Sequence, residues 1–159
     1  MLRALFISLS ESRAQGRHPS ISPDGGWLLY SSTQTGRREV FLESMPTAMG
    51  GPAAGTRKQV SIAGGAQPIW RADGKELFYV GADSKMMSAP VESGSANLKL
   101  GMPKPLFQTR LELDSFQRQY DVSADGKRFL LEQPLEETAS MPITVIVNWP
   151  ALLKKGAAP

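Results

Sequence analysis

The chain has 159 residues, of which 41% are apolar, so a single domain with a sizeable buried core is expected. Its 18 basic and 15 acidic residues leave a net charge of only +3, which argues against a disordered tail and against a dedicated nucleic-acid surface. The absence of cysteine excludes disulfides and thiolate zinc sites, and the single histidine, His18, disfavours multi-histidine metal sites, so neither a metal nor a cofactor is predicted.

The first predicted element in chain order is a strand at residues 4–9. Its apolar stretch is interrupted by Ser8 and is too short for a secretory signal peptide. Nothing later in the sequence reads as a membrane span, because the longest apolar candidate, residues 143–153, contains Asn148 and Pro150. We therefore expect a soluble chain without membrane contact, cytoplasmic as it stands.

Three later segments align with one another, at residues 19–30, 68–79 and 120–131. Each contains an Asp-Gly pair followed by an apolar run. The aspartates Asp24, Asp73 and Asp125 lie 49 residues (73 minus 24) and 52 residues (125 minus 73) apart. A period of about 50 residues is typical of one four-stranded propeller blade.

Each Asp-Gly pair predicts a tight hairpin turn. In Ser22-Pro23-Asp24-Gly25 the proline fixes its φ, the aspartate can accept from nearby backbone, and the glycine can take a positive φ. One carboxylate per turn is too sparse to hold a cation, so we interpret Asp24, Asp73 and Asp125 as caps of their own turns.

The run after each turn is apolar without alternation, which predicts a strand covered on both faces. These strands are predicted at residues 27–30, 77–80 and 129–131. Third and fourth strands are predicted at 39–43 and 58–62, then at 86–91 and 104–108, while the third repeat supplies only 143–147. Aromatic residues recur at equivalent positions and are interpreted as packing between sheets: Trp27, Tyr30, Trp70, Phe78, Tyr79 and Phe129.

The predicted fold is all-β, with three four-stranded propeller blades in one unit spanning 1–159. The blades are predicted at about 17–62, 66–108 and 118–149, and strand 4–9 is expected to complete the third. An open arc of three blades leaves one apolar face bare at each end. We therefore expect a homodimer in which two chains form a six-bladed ring about a twofold axis, with strand 4–9 adding to the partner's third blade.

The turns and strands resemble the TolB-like, WD-repeat-like β-propeller family across residues 17–149. The resemblance is carried by the Ser-Pro-Asp-Gly turn, its two relatives, and the segments 64–70, 74–79, 105–109 and 142–149. These segments are similar to the last blades of the propeller attached to some bacterial serine/threonine kinases. The resemblance implies a propeller, six-bladed or similar, that works as a recognition module and is often periplasmic or extracytoplasmic.

Polar residues are predicted to converge where the chain enters the innermost strands and leaves the second strands. They are Arg17, His18, Gln67, Arg118 and Gln119, joined by Arg37, Arg38 and Lys85. Converging polar groups at a concavity form the default binding-site hypothesis, and the basic bias favours an anionic small molecule or an acidic peptide. We interpret His18 as an ordinary residue before the first strand rather than as the base of a serine nucleophile. Basic pairs such as Arg37-Arg38 are interpreted as a solvated surface rather than as contacts to phosphates.

The leading functional hypothesis is a non-enzymatic binding or assembly module. The sequence has no nucleophile elbow, phosphate-binding loop, dinucleotide fingerprint or metalloprotease motif. One alternative is a hydrolase or lactonase working in the channel, for which Asp121 and His18 are the obvious pair. Another is a fragment of a kinase-linked sensor that has no function on its own.

Overall fold

The computed structural model describes residues 16–45, 56–92 and 98–132. Within these ranges the chain is all-β, as predicted, and no helix there could cross a membrane. The eleven strands described are β1 (Arg17–Ile21), β2 (Trp27–Ser32), β3 (Glu39–Ser44), β4 (Arg57–Gln59), β5 (Gly65–Trp70), β6 (Glu76–Gly81), β7 (Lys85–Glu92), β8 (Lys99–Leu100), β9 (Lys104–Gln108), β10 (Tyr120–Val122) and β11 (Phe129–Leu131).

The first sheet is a four-stranded antiparallel meander in the order β1-β2-β3-β4. Its first turn forms because Gly25 adopts a φ of 74°, which favours glycine, and because the Asp24 carboxylate accepts a hydrogen bond from the Gly26 backbone N–H at 3.0 Å. The equivalent carboxylates accept from Lys75 at 3.0 Å and from Lys127 at 3.1 Å. The prediction that these aspartates cap their own turns is confirmed.

The second sheet pairs β5, β6 and β7 in order, and both β8 and β9 pair with β7. The fourth strand expected at 104–108 is present as β9. The two-residue strand β8 was not predicted, because an element so short carries no periodicity; it extends the same edge by pairing Val91 with Leu100. The strand predicted at 58–62 is observed as β4 at Arg57–Gln59, so it is shorter than predicted and begins one residue earlier.

The third sheet consists, in the described part of the chain, of β10 paired with β11. The predicted strands at 4–9 and 143–147 lie outside the described residues. An all-β fold with a four-stranded first sheet is therefore established, and three complete blades stay a prediction.

Two apolar clusters hold the sheets together. The cluster between the first and second sheets contains Trp27, Leu29, Val40, Leu42, Val60, Trp70, Leu77, Tyr79, Ala89, Val91 and Leu98. The cluster between the second and third sheets contains Phe78, Val80, Met86, Leu111 and Tyr120, with Phe129 packed against it. Strand β6 supplies alternate residues to both clusters, which confirms that its continuous apolar run is covered on both faces.

The far faces of the first and third sheets differ in how well they are buried. Leu28, Tyr30, Phe41 and Met45 form a third buried cluster on the far face of the first sheet, so the expectation of a bare apolar face at this end is wrong. On the third sheet, the Leu130 side chain of β11 is 77% exposed. The apolar run of β11 is thus covered on one face only among the residues described.

Candidate functional site

The first strands of the first two sheets, β1 and β5, share an unusual backbone conformation near their N-terminal ends. His18 and Gln67 occupy equivalent places, each directly before a proline, and each adopts a φ of 53°. The pairing register shifts at the same points, between Arg17 and Ser20 and between Ala66 and Ile69. Left-handed backbone at residues other than glycine is costly, and bulges of this kind re-aim side chains. The fold therefore holds these two side chains in a non-standard direction.

Gln67 uses this geometry to join the second sheet to the third. Its side chain is fully buried and its Nε2 donates to the Glu112 carbonyl at 2.8 Å and to Gln119 Oε1 at 3.1 Å. Its Oε1 accepts from the Gln119 backbone N–H at 2.7 Å, and its own carbonyl accepts from the Tyr120 hydroxyl at 2.7 Å. Two of the predicted ligand-binding residues, Gln67 and Gln119, are thus engaged with each other.

His18 lies within β1, not before it as predicted, and is 9% exposed. Neither ring nitrogen makes a hydrogen bond of standard geometry among the described residues. Burial is the main cause that lowers the pKa of His18, and the positive charge of Arg118 is the second. The Gln117 backbone opposes this shift, and the charges of Arg38 and Arg17 add smaller lowering effects. The imidazole is therefore neutral at neutral pH.

Three arginines surround this histidine from separate parts of the chain. The Arg17 guanidinium donates to the Asp114 carbonyl at 2.8 Å and lies 3.9 Å from the centre of the Phe116 ring. Arg38 donates through Nε to Asp114 Oδ1 at 3.1 Å, and Arg118 donates to the Pro68 carbonyl at 3.2 Å.

Two of these guanidinium groups have spare donors. The Nη1 of Arg38 and the Nε of Arg118 are buried and have no partner in the described part of the chain. Arg38 is only 8% exposed, which corrects the expectation that the Arg37-Arg38 pair lies on a solvated surface. Its burial follows from tertiary packing, because the partner Asp114 is 76 residues away in sequence.

We call Arg17, His18, Arg38 and Arg118 the basic cluster. Within the described ranges Asp114, whose side chain is 86% exposed, pairs its carboxylate with Arg38 of this cluster. Asp114 and Phe116 were missed by sequence reasoning because they lie in an irregular segment between β9 and β10 with no motif around them.

Two predicted residues are engaged elsewhere. Arg37 pairs with Glu39, donates to the Ile62 carbonyl at 2.9 Å, and has a side chain 60% exposed. Lys85 pairs with Asp83 at 2.7 Å.

The structure does not bring Asp121 to His18 as a catalytic pair. Asp121 is exposed on β10, and its carboxylate accepts from the Val122 backbone N–H at 2.8 Å. The charges that act on the pKa of His18 are those of arginines, with no carboxylate among them. In the described ranges no three His, Asp or Glu residues are grouped so as to hold a metal ion.

Comparison with known proteins gives no family assignment. No protein-family model matches the chain, and no curated protein is significantly similar to it.

Proposed function

We propose that the chain is a non-enzymatic binding module that recognises carboxylates, of an acidic peptide segment or a small anion, at the basic cluster. The observation that supports this most is a pair of buried guanidinium donors, Arg38 Nη1 and Arg118 Nε, that have no partner among the described residues. Buried cationic donors without partners are costly, so they favour an incoming acceptor.

The chain's own Asp114 indicates the ligand chemistry. Its carboxylate accepts from Arg38 Nε, and its carbonyl accepts from Arg17. Arginine binds carboxylates in bidentate geometry, and here only one donor of Arg38 is used by Asp114. An external carboxylate can replace the Asp114 side chain, which is 86% exposed, as the acceptor for the buried Arg38 guanidinium.

The test is a calorimetric titration of the full chain with a tetraglutamate peptide and with its tetraglutamine analogue. We expect saturable binding of the first and none of the second. Arg118→Gln should weaken binding at least about tenfold, which corresponds to about 1.4 kcal/mol. Lys127→Gln is the matched control, since it removes the same charge from an exposed residue in the third Asp-Gly turn. Equal affinity of both peptides, or of Arg118→Gln and the parent chain, would refute the proposal.

A second proposal concerns assembly: that the sheets are blades of a TolB-like propeller and that two chains complete a six-bladed ring. The exposed Leu130 on the far face of the third sheet supports it, because a blade buries both faces against its neighbours. Light scattering of the full chain should give the mass of a dimer. Leu130→Asp and deletion of residues 1–10 should each shift that mass towards a monomer, whereas a monomeric parent chain contradicts ring closure.

A further inference from the structure

A cavity lies between the first two Asp-Gly turns, at the opposite end of the inner hairpins from the basic cluster. Its volume is about 410 Å³, within the range of small-ligand sites. Its lining residues include two tryptophans, Trp27 and Trp70, and two aspartates, Asp24 and Asp73. The two turns approach closely beside it, since a Cβ on Gly74 would lie 3.5 Å from Pro23.

The corresponding space between the second and third Asp-Gly turns is occupied by the side chain of Arg71. The stem of Arg71 lies against the third turn, because a Cβ on Gly126 would be 2.6 Å from Arg71 Cδ. The Arg71 guanidinium binds Asp73 through two bonds of 2.7 and 2.8 Å and binds Glu76 at 2.6 Å. A guanidinium on an aliphatic stem thus fits between neighbouring turns.

The repeat alignment identifies what replaces these groups at the first cavity. Ser22 stands in the place of Arg71, and Trp27 stands in the place of Glu76. The short Ser22 hydroxyl donates to Asp24 Oδ1 at 2.5 Å, so the cap is kept but the stem and the guanidinium are missing. The space that Arg71 fills in one repeat is open in the other.

We propose that this cavity binds a guanidinium group carried on an aliphatic stem, supplied by an arginine of a partner peptide or by a small alkylguanidine. The group would contact the Asp24 carboxylate and the Trp27 ring, as Arg71 contacts Asp73 and Glu76. Carboxylate and indole together form the usual receptor for an organic cation.

One further observation fits such a ligand. Hydrogen bonds from Ser22 and the Gly26 backbone keep the pKa of Asp24 below its usual range, so this carboxylate is charged at neutral pH.

Intrinsic fluorescence can report the binding, because two of the three tryptophans in the chain line the cavity. The full chain is titrated with acetyl-Gly-Arg-Gly-amide, with the citrulline analogue, and with butylguanidinium as the small-molecule arm. We expect the arginine peptide to bind saturably and the uncharged citrulline peptide to bind at least about tenfold more weakly. If butylguanidinium binds with the same affinity as the arginine peptide, the ligand is a small molecule. If it binds more weakly, the ligand is a peptide. Both results agree with the proposed chemistry.

Variants separate this site from the rest of the surface. Asp24→Asn keeps a capping side chain and should weaken binding of the arginine peptide about tenfold. Asp125→Asn alters the equivalent Ser-Asp turn of the third repeat and should change the affinity for this peptide by less than about twofold. Ser22→Arg should reproduce Arg71, fill the cavity and abolish binding. Binding of tetraglutamate should be the same in all three variants. Absence of saturable binding by the parent chain, equal binding of the citrulline peptide, or an unaffected and folded Asp24→Asn chain overturns the proposal.

Discussion

Replacement of Gln67 by leucine tests whether one buried amide fastens the third sheet to the second. The substitution removes three side-chain hydrogen bonds and leaves two groups without a partner, the Glu112 carbonyl and the Gln119 backbone N–H. Gln119 Oε1 keeps one bond, from the Glu112 backbone N–H at 3.0 Å. The three lost hydrogen bonds are part-buried and contribute about 0.5–1.5 kcal/mol each, so we expect a loss of about 3 kcal/mol in the free energy of unfolding.

The assay is urea unfolding followed by tryptophan fluorescence. With a denaturant slope of about 1–3 kcal/mol per molar urea, a loss of about 3 kcal/mol lowers the midpoint by at least about 1 M. Gln59→Leu is the control: its amide donates a single bond to the Ser61 carbonyl at 2.8 Å from an exposed position, and the change should cost less than about 0.5 kcal/mol. A Gln67→Leu midpoint within error of the parent chain would refute the assignment of Gln67 as the link.

Two further predictions concern pH and packing. Because the pKa of His18 is lowered in the folded chain while the unfolded value is about 6.5, its contribution to stability is complete above the unfolded value and is lost as the pH falls from there through the lower folded pKa. The free energy of unfolding should therefore decrease between about pH 7.5 and 5.5 in the parent chain and stay level in His18→Gln; equal slopes would contradict the burial of a neutral imidazole. Gly65→Ala places a Cβ 2.8 Å from Tyr79 Cδ2 and should cost about 2–3 kcal/mol, measured by thermal unfolding. Gly25→Ala, where nothing lies within 4 Å of the new Cβ, should cost only the backbone term of about 1 kcal/mol, and an equal loss for both would show that packing at Gly65 is not the cause.

The sequence by itself determined the local elements, because each depends on neighbouring residues. Asp-Gly pairs form turns through the positive φ of the glycine and the cap made by the aspartate, whichever partner the hairpin later meets. Continuous apolar runs, as in β6, have to be covered on both faces, which already implies stacked sheets. The positions of most strands in the first two repeats followed from these two signals.

Only the tertiary structure decided which polar side chains are buried and which of them meet. Arg17 and Arg38 bind Asp114 across 97 and 76 residues of sequence, and no local pattern encodes a contact of that separation. Tertiary packing also decides the difference between two spaces that the repeat makes equivalent, the cavity between the first and second Asp-Gly turns and the space between the second and third. One is open and the other is filled because the Arg71 stem lies against Gly126, and only packing between sheets brings those two residues together.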